Sequence, residues 1–197
     1  PCAARALFVR GIKYLLVFAA LFLFANTYGT SFIEHQVVSR QKNQLYEYSQ
    51  YLEEQYKNTV FDNPSLYITD SLYKQIQKTD SILDTRTWFS DANGLLLLDS
   101  NDSTAQNVQI NILDYDSHYF YSSYYRNKTL EPLLSEEMLS VILPIVDNFT
   151  TKGYVIIHSP MNVIKKQIRT YMSMLNGFLF ILAATFALLL FLTWYLS

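Results

Sequence analysis

The chain has 197 residues, of which 50% are hydrophobic, 16% aromatic and 16% charged, and its net charge is −2 at pH 7. All seventeen acidic residues lie within residues 34–170, where only twelve Lys and Arg accompany them. This acidic balance repels phosphate backbones, so nucleic acid is not expected as a partner.

Two long uncharged stretches, residues 14–33 and residues 171–197, enclose the acidic region. A helix of twenty residues, at about 1.5 Å per residue, crosses a hydrocarbon core of about 30 Å. We therefore predict two transmembrane helices and a two-pass protein of the cell membrane. A signal peptide is the alternative for the first stretch because it contains small alanines, although no A-x-A cleavage site follows it.

Positive charge on the short flank, residues 1–13, predicts the orientation. Arg5, Arg10 and Lys13 precede the first apolar stretch without any acidic residue. Because basic flanks stay in the cytoplasm, we expect both termini inside and residues 34–170 outside the membrane. Cys2 is the only cysteine and lies on the inner flank, so no disulfide can stabilise the outer domain.

A long helix is predicted to continue from the first membrane span into the outer domain. Residues 32–58 contain neither Gly nor Pro, and Leu45, Tyr48 and Leu52 recur at helical spacing. These three residues are assigned to the interface of a parallel homodimer. The equally weighted alternative is that the stripe packs on its own domain.

The pattern then changes from helical to extended. Pro64 ends the first helix, and a second helix is predicted from about residue 65 to residue 82. Residues 85–90 are rich in β-branched and aromatic side chains, residues 91–94 contain an Asn-Gly pair, and residues 95–98 are apolar. This succession predicts a β-hairpin.

A second hairpin is predicted from residues 138–146 and 154–158. Pro144 removes one hydrogen bond from its strand, so that strand should contain a bulge or lie at a sheet edge. Residues 118–126 are expected to supply a fifth strand. Pro160 ends the last strand, and a helix beginning at the next residues should lead into the second membrane span.

Three motifs carry a family resemblance: WFSDANG at residues 88–94, LPI at residues 143–145 and GYVIIHSP at residues 153–160. Residues 34–197 resemble the extracytoplasmic PAS-like sensor regions (single Cache, also called PDC) of bacterial membrane histidine kinases. The resemblance implies an α+β fold with a five-stranded antiparallel sheet, a long N-terminal helix on one face and two flanking transmembrane helices. It also implies a dimeric receptor.

The predicted function is the signal-input region of a two-component sensor histidine kinase. The chain contains no phosphoacceptor or ATP-binding motif, so kinase activity and contact with a response regulator would require a cytoplasmic part beyond residue 197. The alternatives are a membrane-tethered binding, adhesion or assembly protein, and the sensor region of a chemoreceptor or cyclase.

An aromatic cluster with a nearby arginine is the predicted ligand site. Tyrosine offers an apolar ring with a hydroxyl, and Arg can hold a carboxylate with two hydrogen bonds, which suits a small organic acid or peptide. The alternative is that the aromatic residues only fill the sheet core, or that a protein is the ligand. The site is assigned to Trp88, Tyr119, Tyr121 and Arg126.

Signal relay to the membrane is assigned to the last strand and the helix that follows it. The residues are His158, Pro160, Ile164 and Ile168. The three histidines are far apart in sequence, and neither a second cysteine nor a phosphate-binding loop is present. We therefore predict no metal, no cofactor and no catalytic residue in this chain.

Overall fold

The computed structural model describes residues 2–60, 70–102, 108–110, 112, 134 and 136–196. Its elements in chain order are α1 (Cys2–Val60), α2 (Asp70–Leu83), β1 (Arg86–Asp91), β2 (Leu96–Asp99), β3 (Met138–Asp147), β4 (Thr150–Pro160) and α3 (Met161–Leu196). The chain divides into two compact units, one of residues 1–38 and 165–197 and the other of residues 39–164, here called the outer unit.

The first unit consists of the apolar parts of α1 and α3. Both helices are long and apolar enough to cross a membrane. Tyr14 and Phe186 meet edge to face with ring centroids 6.0 Å apart. Gly29 allows close approach, because a Cβ there would lie 3.3 Å from a methyl carbon of Leu175. Two apolar helices therefore flank the outer unit in sequence and pack against each other.

The outer unit is built on an antiparallel sheet with the strand order β2-β1-β4-β3. Arg86 to Asp91 of β1 pair with His158 to Gly153 of β4 without a shift. In the β3–β4 pair the register shifts immediately after Ile145, one residue beyond Pro144. The extra residue at this shift is Lys152 of β4, so β3 itself contains no bulge there. The expectation that the Pro144 strand has either a bulge or a free edge is met by the edge, because β3 is an outer strand of the sheet that the described residues form.

Alternation along β1 gives the sheet two different faces. On one face, Phe89 stacks on Tyr56 of α1 with ring centroids 5.2 Å apart, and Thr87 Oγ1 donates to Asp80 Oδ1 of α2 at 2.9 Å. This face is called the helix face. The opposite face is called the Trp88 face, and it presents Arg86, Trp88 and Ser90 of β1 and their partners His158, Ile156 and Tyr154 of β4.

Packing of α1 on the helix face corrects the assignment of the dimer interface. Leu45, Tyr48 and Leu52 are only 2%, 9% and 1% exposed within the single chain. Their side chains already belong to the core of their own domain, so they leave no surface for a second copy. The assignment of these three residues to a dimer interface is wrong, and the alternative of packing on their own domain describes the structure.

A buried carboxylate ties α2 to β1 on the helix face. Asp80 is 2% exposed, and its Oδ1 accepts hydrogen bonds from Thr85 Oγ1 at 2.8 Å and from Thr87 Oγ1. Burial raises the pKa of Asp80. The Tyr48 hydroxyl is also buried there, and burial together with the charge of Asp80 raises the pKa of Tyr48.

The described residues form a four-stranded sheet, and the fifth strand predicted at residues 118–126 lies outside them. A short extension that the sequence did not indicate runs beside β2. Leu96 N donates to Val108 O at 2.9 Å, Ile110 N donates to Gly94 O at 2.8 Å, and Leu95 bridges Gln109. The extension brings a segment distant in sequence onto the edge of the sheet.

Gly94 should not tolerate a side chain. Its φ is +88°, and a Cβ at this position would lie 2.2 Å from Ile110 O. We expect Gly94→Ala to lower the free energy of unfolding by about 1–3 kcal/mol, through backbone strain and loss of the extension at residues 108–110. Thermal and denaturant unfolding of the full chain in nanodiscs measures this change.

Asn93→Ala at the neighbouring exposed position is the control. It should change the free energy of unfolding by less than about 0.5 kcal/mol. Equal stability of Gly94→Ala and the wild type would contradict the described turn.

Candidate ligand-binding face

A buried apolar cluster covers most of the Trp88 face. Trp88 is 0% exposed and lies at the middle of β1, with strand partners on both sides. Residues from four other segments of the chain join it. The buried members are Trp88, Leu96, Ile110, Leu134, Met138, Ile142 and Ile156, and Val108, Ile112 and Tyr154 pack against them partly exposed.

Two buried polar atoms interrupt this apolar surface. Trp88 Nε1 and Ser90 Oγ have no hydrogen-bond partner among the described residues, although both side chains are at most 2% exposed. A buried donor without an acceptor is costly, by about 1–3 kcal/mol. An apolar surface with a few buried polar atoms is typical of a site for a small ligand.

The Arg86–Asp99 ion pair fixes one side of Trp88. Arg86 Nε donates to both carboxylate oxygens of Asp99 at 2.9 and 3.1 Å, and Nη2 also donates to Oδ2. The Asp99 side chain is 0% exposed, whereas that of Arg86 is 17% exposed. The guanidinium carbon lies 5.4 Å from the centre of the Trp88 ring, a distance at which a cation attracts the ring face.

His158, the cross-strand partner of Arg86, also packs against Trp88. The two rings meet edge to face with centroids 4.2 Å apart, and His158 Nδ1 lies 2.7 Å from Ser140 Oγ. Burial of the whole side chain, followed by the charge of Arg86, lowers the pKa of His158 to about 3. His158 is therefore neutral near pH 7 and cannot report small changes around neutral pH.

The predicted relay residues lie in succession along the path from β4 into α3. Pro160 is the last residue of β4, and the prediction that it ends the strand is confirmed. Ile164 is fully buried in the first turns of α3, and Ile168 is partly buried. Nothing in this placement tests signalling, so their role in relay stays a prediction.

Three of the four predicted ligand residues, Tyr119, Tyr121 and Arg126, lie outside the described residues. The two described residues nearest to them in sequence, Ile112 and Leu134, both pack against the Trp88 cluster.

Sequence reasoning missed Arg86, Asp99 and Ser140. Arg86 stands two residues before Trp88 in β1, and Ser140 stands two residues before Ile142 in β3, so the two-residue period of a strand was the available signal. Among the described residues, no group of three or more His, Cys, Asp or Glu side chains is placed to hold a metal ion.

No protein-family profile and no curated protein sequence matches the chain. Among solved structures, the sensory domain of the Campylobacter jejuni chemoreceptor Tlp3 (CcmL) with isoleucine bound is similar, with a TM-score of 0.51 and 11% sequence identity. The match covers 77% of this chain and 65% of that chain. The ligand-binding domain of Tlp3 in complex with L-valine gives a TM-score of 0.48 at 11% identity, covering 78% and 66%.

The first of these likenesses shows the fold alone, because its sequence identity is only 11%. The present chain also spans only about 65% of the length of that sensory domain. The α+β arrangement of long helices and an antiparallel sheet is thus similar to the fold of that sensory domain.

The lowered pKa of His158 should make stability depend on pH. Between about pH 6.5 and pH 3 the unfolded histidine binds a proton that the folded one does not, so the free energy of unfolding falls as the pH decreases. From pH 7 to pH 5 this single group should remove about 2 kcal/mol. Denaturant unfolding of the full chain at both pH values measures the loss.

His158→Asn, which keeps a polar atom near Ser140, should remove this contribution, whereas His35→Asn at an exposed position should leave it unchanged. Because wild type and variants share all other titrating groups, including Asp80, those contributions cancel in the comparison. An unchanged pH dependence in His158→Asn would show that His158 is not responsible.

Proposed function

We propose that the chain is the signal-input region of a membrane receptor. The proposal places residues 1–13 in the cytoplasm, transmembrane helices at residues 14–33 and 171–197, and a sensor domain at residues 34–170 outside the membrane. It is supported by the fold of a chemoreceptor sensory domain and by the two apolar helices that flank the outer unit.

The proposed input is a small ligand bound on the Trp88 face. The observation that carries this proposal is the pair of buried polar atoms, Trp88 Nε1 and Ser90 Oγ, which have no partner among the described residues and lie at the apolar Trp88 cluster. Tyr119, Tyr121 and Arg126 are proposed to complete the site. The similar sensory domain has isoleucine bound, so amino acids with apolar side chains are the first ligand class to test.

Two kinds of signalling output are proposed for the receptor. A histidine kinase is the output that the sequence motifs favour, and a chemoreceptor is the output that the structural likeness favours. A phosphoacceptor histidine with an ATP-binding lid in the rest of the receptor would support the kinase, and long methyl-accepting helices would support the chemoreceptor. A tethered adhesion or assembly protein is the non-signalling alternative.

A homodimer is also part of the proposal. Because Leu45, Tyr48 and Leu52 are buried in their own domain, the contact between copies would use other residues. The side of α1 that is exposed in the single chain offers polar positions at helical spacing: Arg40, Asn43, Glu47 and Glu54.

The membrane topology can be tested with single cysteines. In a Cys2→Ser background, Asn101→Cys should react with a membrane-impermeant maleimide added to intact cells, because residue 101 is exposed and lies in the outer unit. Ala3→Cys should react only after the cells are permeabilised. Labelling of position 3 but not position 101 from outside would overturn the orientation.

Ligand binding can be tested with Trp88→Phe, which keeps an apolar ring and removes the Nε1 donor. If this donor bonds the ligand, Trp88→Phe should weaken binding of isoleucine or a related ligand about tenfold, equivalent to one hydrogen bond of about 1.4 kcal/mol. Thermal-shift and calorimetric titrations of the full chain with apolar amino acids, small carboxylates and short peptides measure this.

Tyr56→Phe is the matched control, because it also removes one polar atom from an aromatic ring but lies on the helix face. It should leave the affinity unchanged. Failure of every ligand in the panel to bind the wild type would overturn the small-ligand proposal, and equal affinity of Trp88→Phe would remove Nε1 from the site.

A further inference from the structure

The residues just before β3 contact both the Trp88 cluster and the beginning of α3. Leu134 is 4% exposed and Met138 is 8% exposed, and both belong to the buried cluster around Trp88. Glu136 and Glu137 lie between them in sequence. We call Leu134 and residues 136–138 the connector.

The connector holds the first two residues of α3. Met161 N donates to the backbone oxygen of Glu137 at 2.9 Å, and Asn162 Nδ2 donates to Glu136 Oε2 at 2.8 Å. The first N–H groups of a helix have no partner within the helix, so the Glu137 carbonyl satisfies one that would otherwise be free. A carboxylate near the N-terminus also suits the helix dipole.

These contacts connect the candidate site to α3 through only a few residues. Leu134 and Met138 lie in the apolar wall beside Trp88, and the residues between them hold Met161 and Asn162. Because a close-packed core changes between discrete arrangements and does not deform freely, moving Leu134 or Met138 must also move the residues that hold α3.

We propose that the connector couples occupancy of the Trp88 face to the position of the first turn of α3. This proposal deepens the proposed sensor function and rests on it, because the coupling transmits a signal only if the chain is a sensor. It adds a second route to the predicted relay through His158 and Pro160, since the connector contacts α3 directly. By reciprocity, a change at the start of α3 should also alter the Trp88 face.

Amide exchange of Met161 reports this coupling without any ligand. We expect Leu134→Ala to raise the exchange rate of the Met161 amide, relative to the Ile156 amide of the central strand, by at least about tenfold. The ratio separates local opening near α3 from global unfolding. Hydrogen–deuterium exchange of the full chain in nanodiscs, read with residue-resolved fragmentation, provides both rates.

Leu98→Ala is the matched control, because Leu98 has the same 4% exposure but pairs with Phe89, which lies on the helix face. In this variant, the ratio of the Met161 to the Ile156 amide exchange rate should stay within about twofold of the wild-type ratio. If Leu134→Ala fails to fold, Leu134→Val removes less volume and should change the ratio in the same direction. An unchanged ratio in the Leu134 variant that folds would overturn the coupling.

The same exchange measurement with isoleucine separates the two proposals. Binding of isoleucine that changes Met161 exchange supports both, and binding that leaves Met161 unchanged overturns the coupling alone. If neither isoleucine nor any other ligand of the panel binds, the small-ligand function is overturned. The Leu134 and Leu98 variants then still test whether the connector couples the Trp88 face to the start of α3.

Discussion

Hydrogen bonding along both edges of β4 is the constraint on which the outer unit depends. β4 lies between β1 and β3, and every residue from Val155 to Ser159 is fully buried. A strand with two covered faces must contribute alternate side chains to two separate cores. Phe89 and its partner Val155 therefore belong to the helix face, whereas Trp88 and its partner Ile156 belong to the Trp88 face.

The two faces are satisfied in different ways. On the helix face, α1 and α2 cover the sheet, and the buried Asp80 carboxylate has hydroxyl donors from β1. On the Trp88 face, Arg86 of the Arg86–Asp99 pair and the neutral His158 both contact the Trp88 ring, while Trp88 Nε1 has no partner among the described residues. Each face therefore combines partnered and unpartnered buried polar atoms, since Asp80 Oδ2 on the helix face also has no hydrogen-bond partner among the described residues.

The position of β4 also explains why the connector matters. β4 ends at Pro160, and α3 begins at the next residue without an intervening loop. A helix attached so directly needs its first amide satisfied by another part of the chain, and Glu137 supplies the acceptor. The start of α3 is therefore held by the strand that precedes it and by a segment that also forms the wall beside Trp88.

Features that depend on local chemistry could be predicted from the order of the residues. Uncharged length predicted the two apolar helices, and the Asn-Gly pair predicted the first hairpin. Pro144 predicted a bulge or a free edge for its strand, and the strand lies at the edge of the described sheet. Leu45, Tyr48 and Leu52 were correctly placed on one helical stripe, but spacing along a helix does not say which surface the stripe meets.

The surface that this helical stripe packs against became known from the fold, because burial depends on contacts between residues far apart in the chain. The same reason applies to Arg86 with Asp99, to Gly94 with Ile110 and to Glu137 with Met161. Each of these pairs joins segments whose proximity follows from strand order and register, and local sequence patterns specify neither.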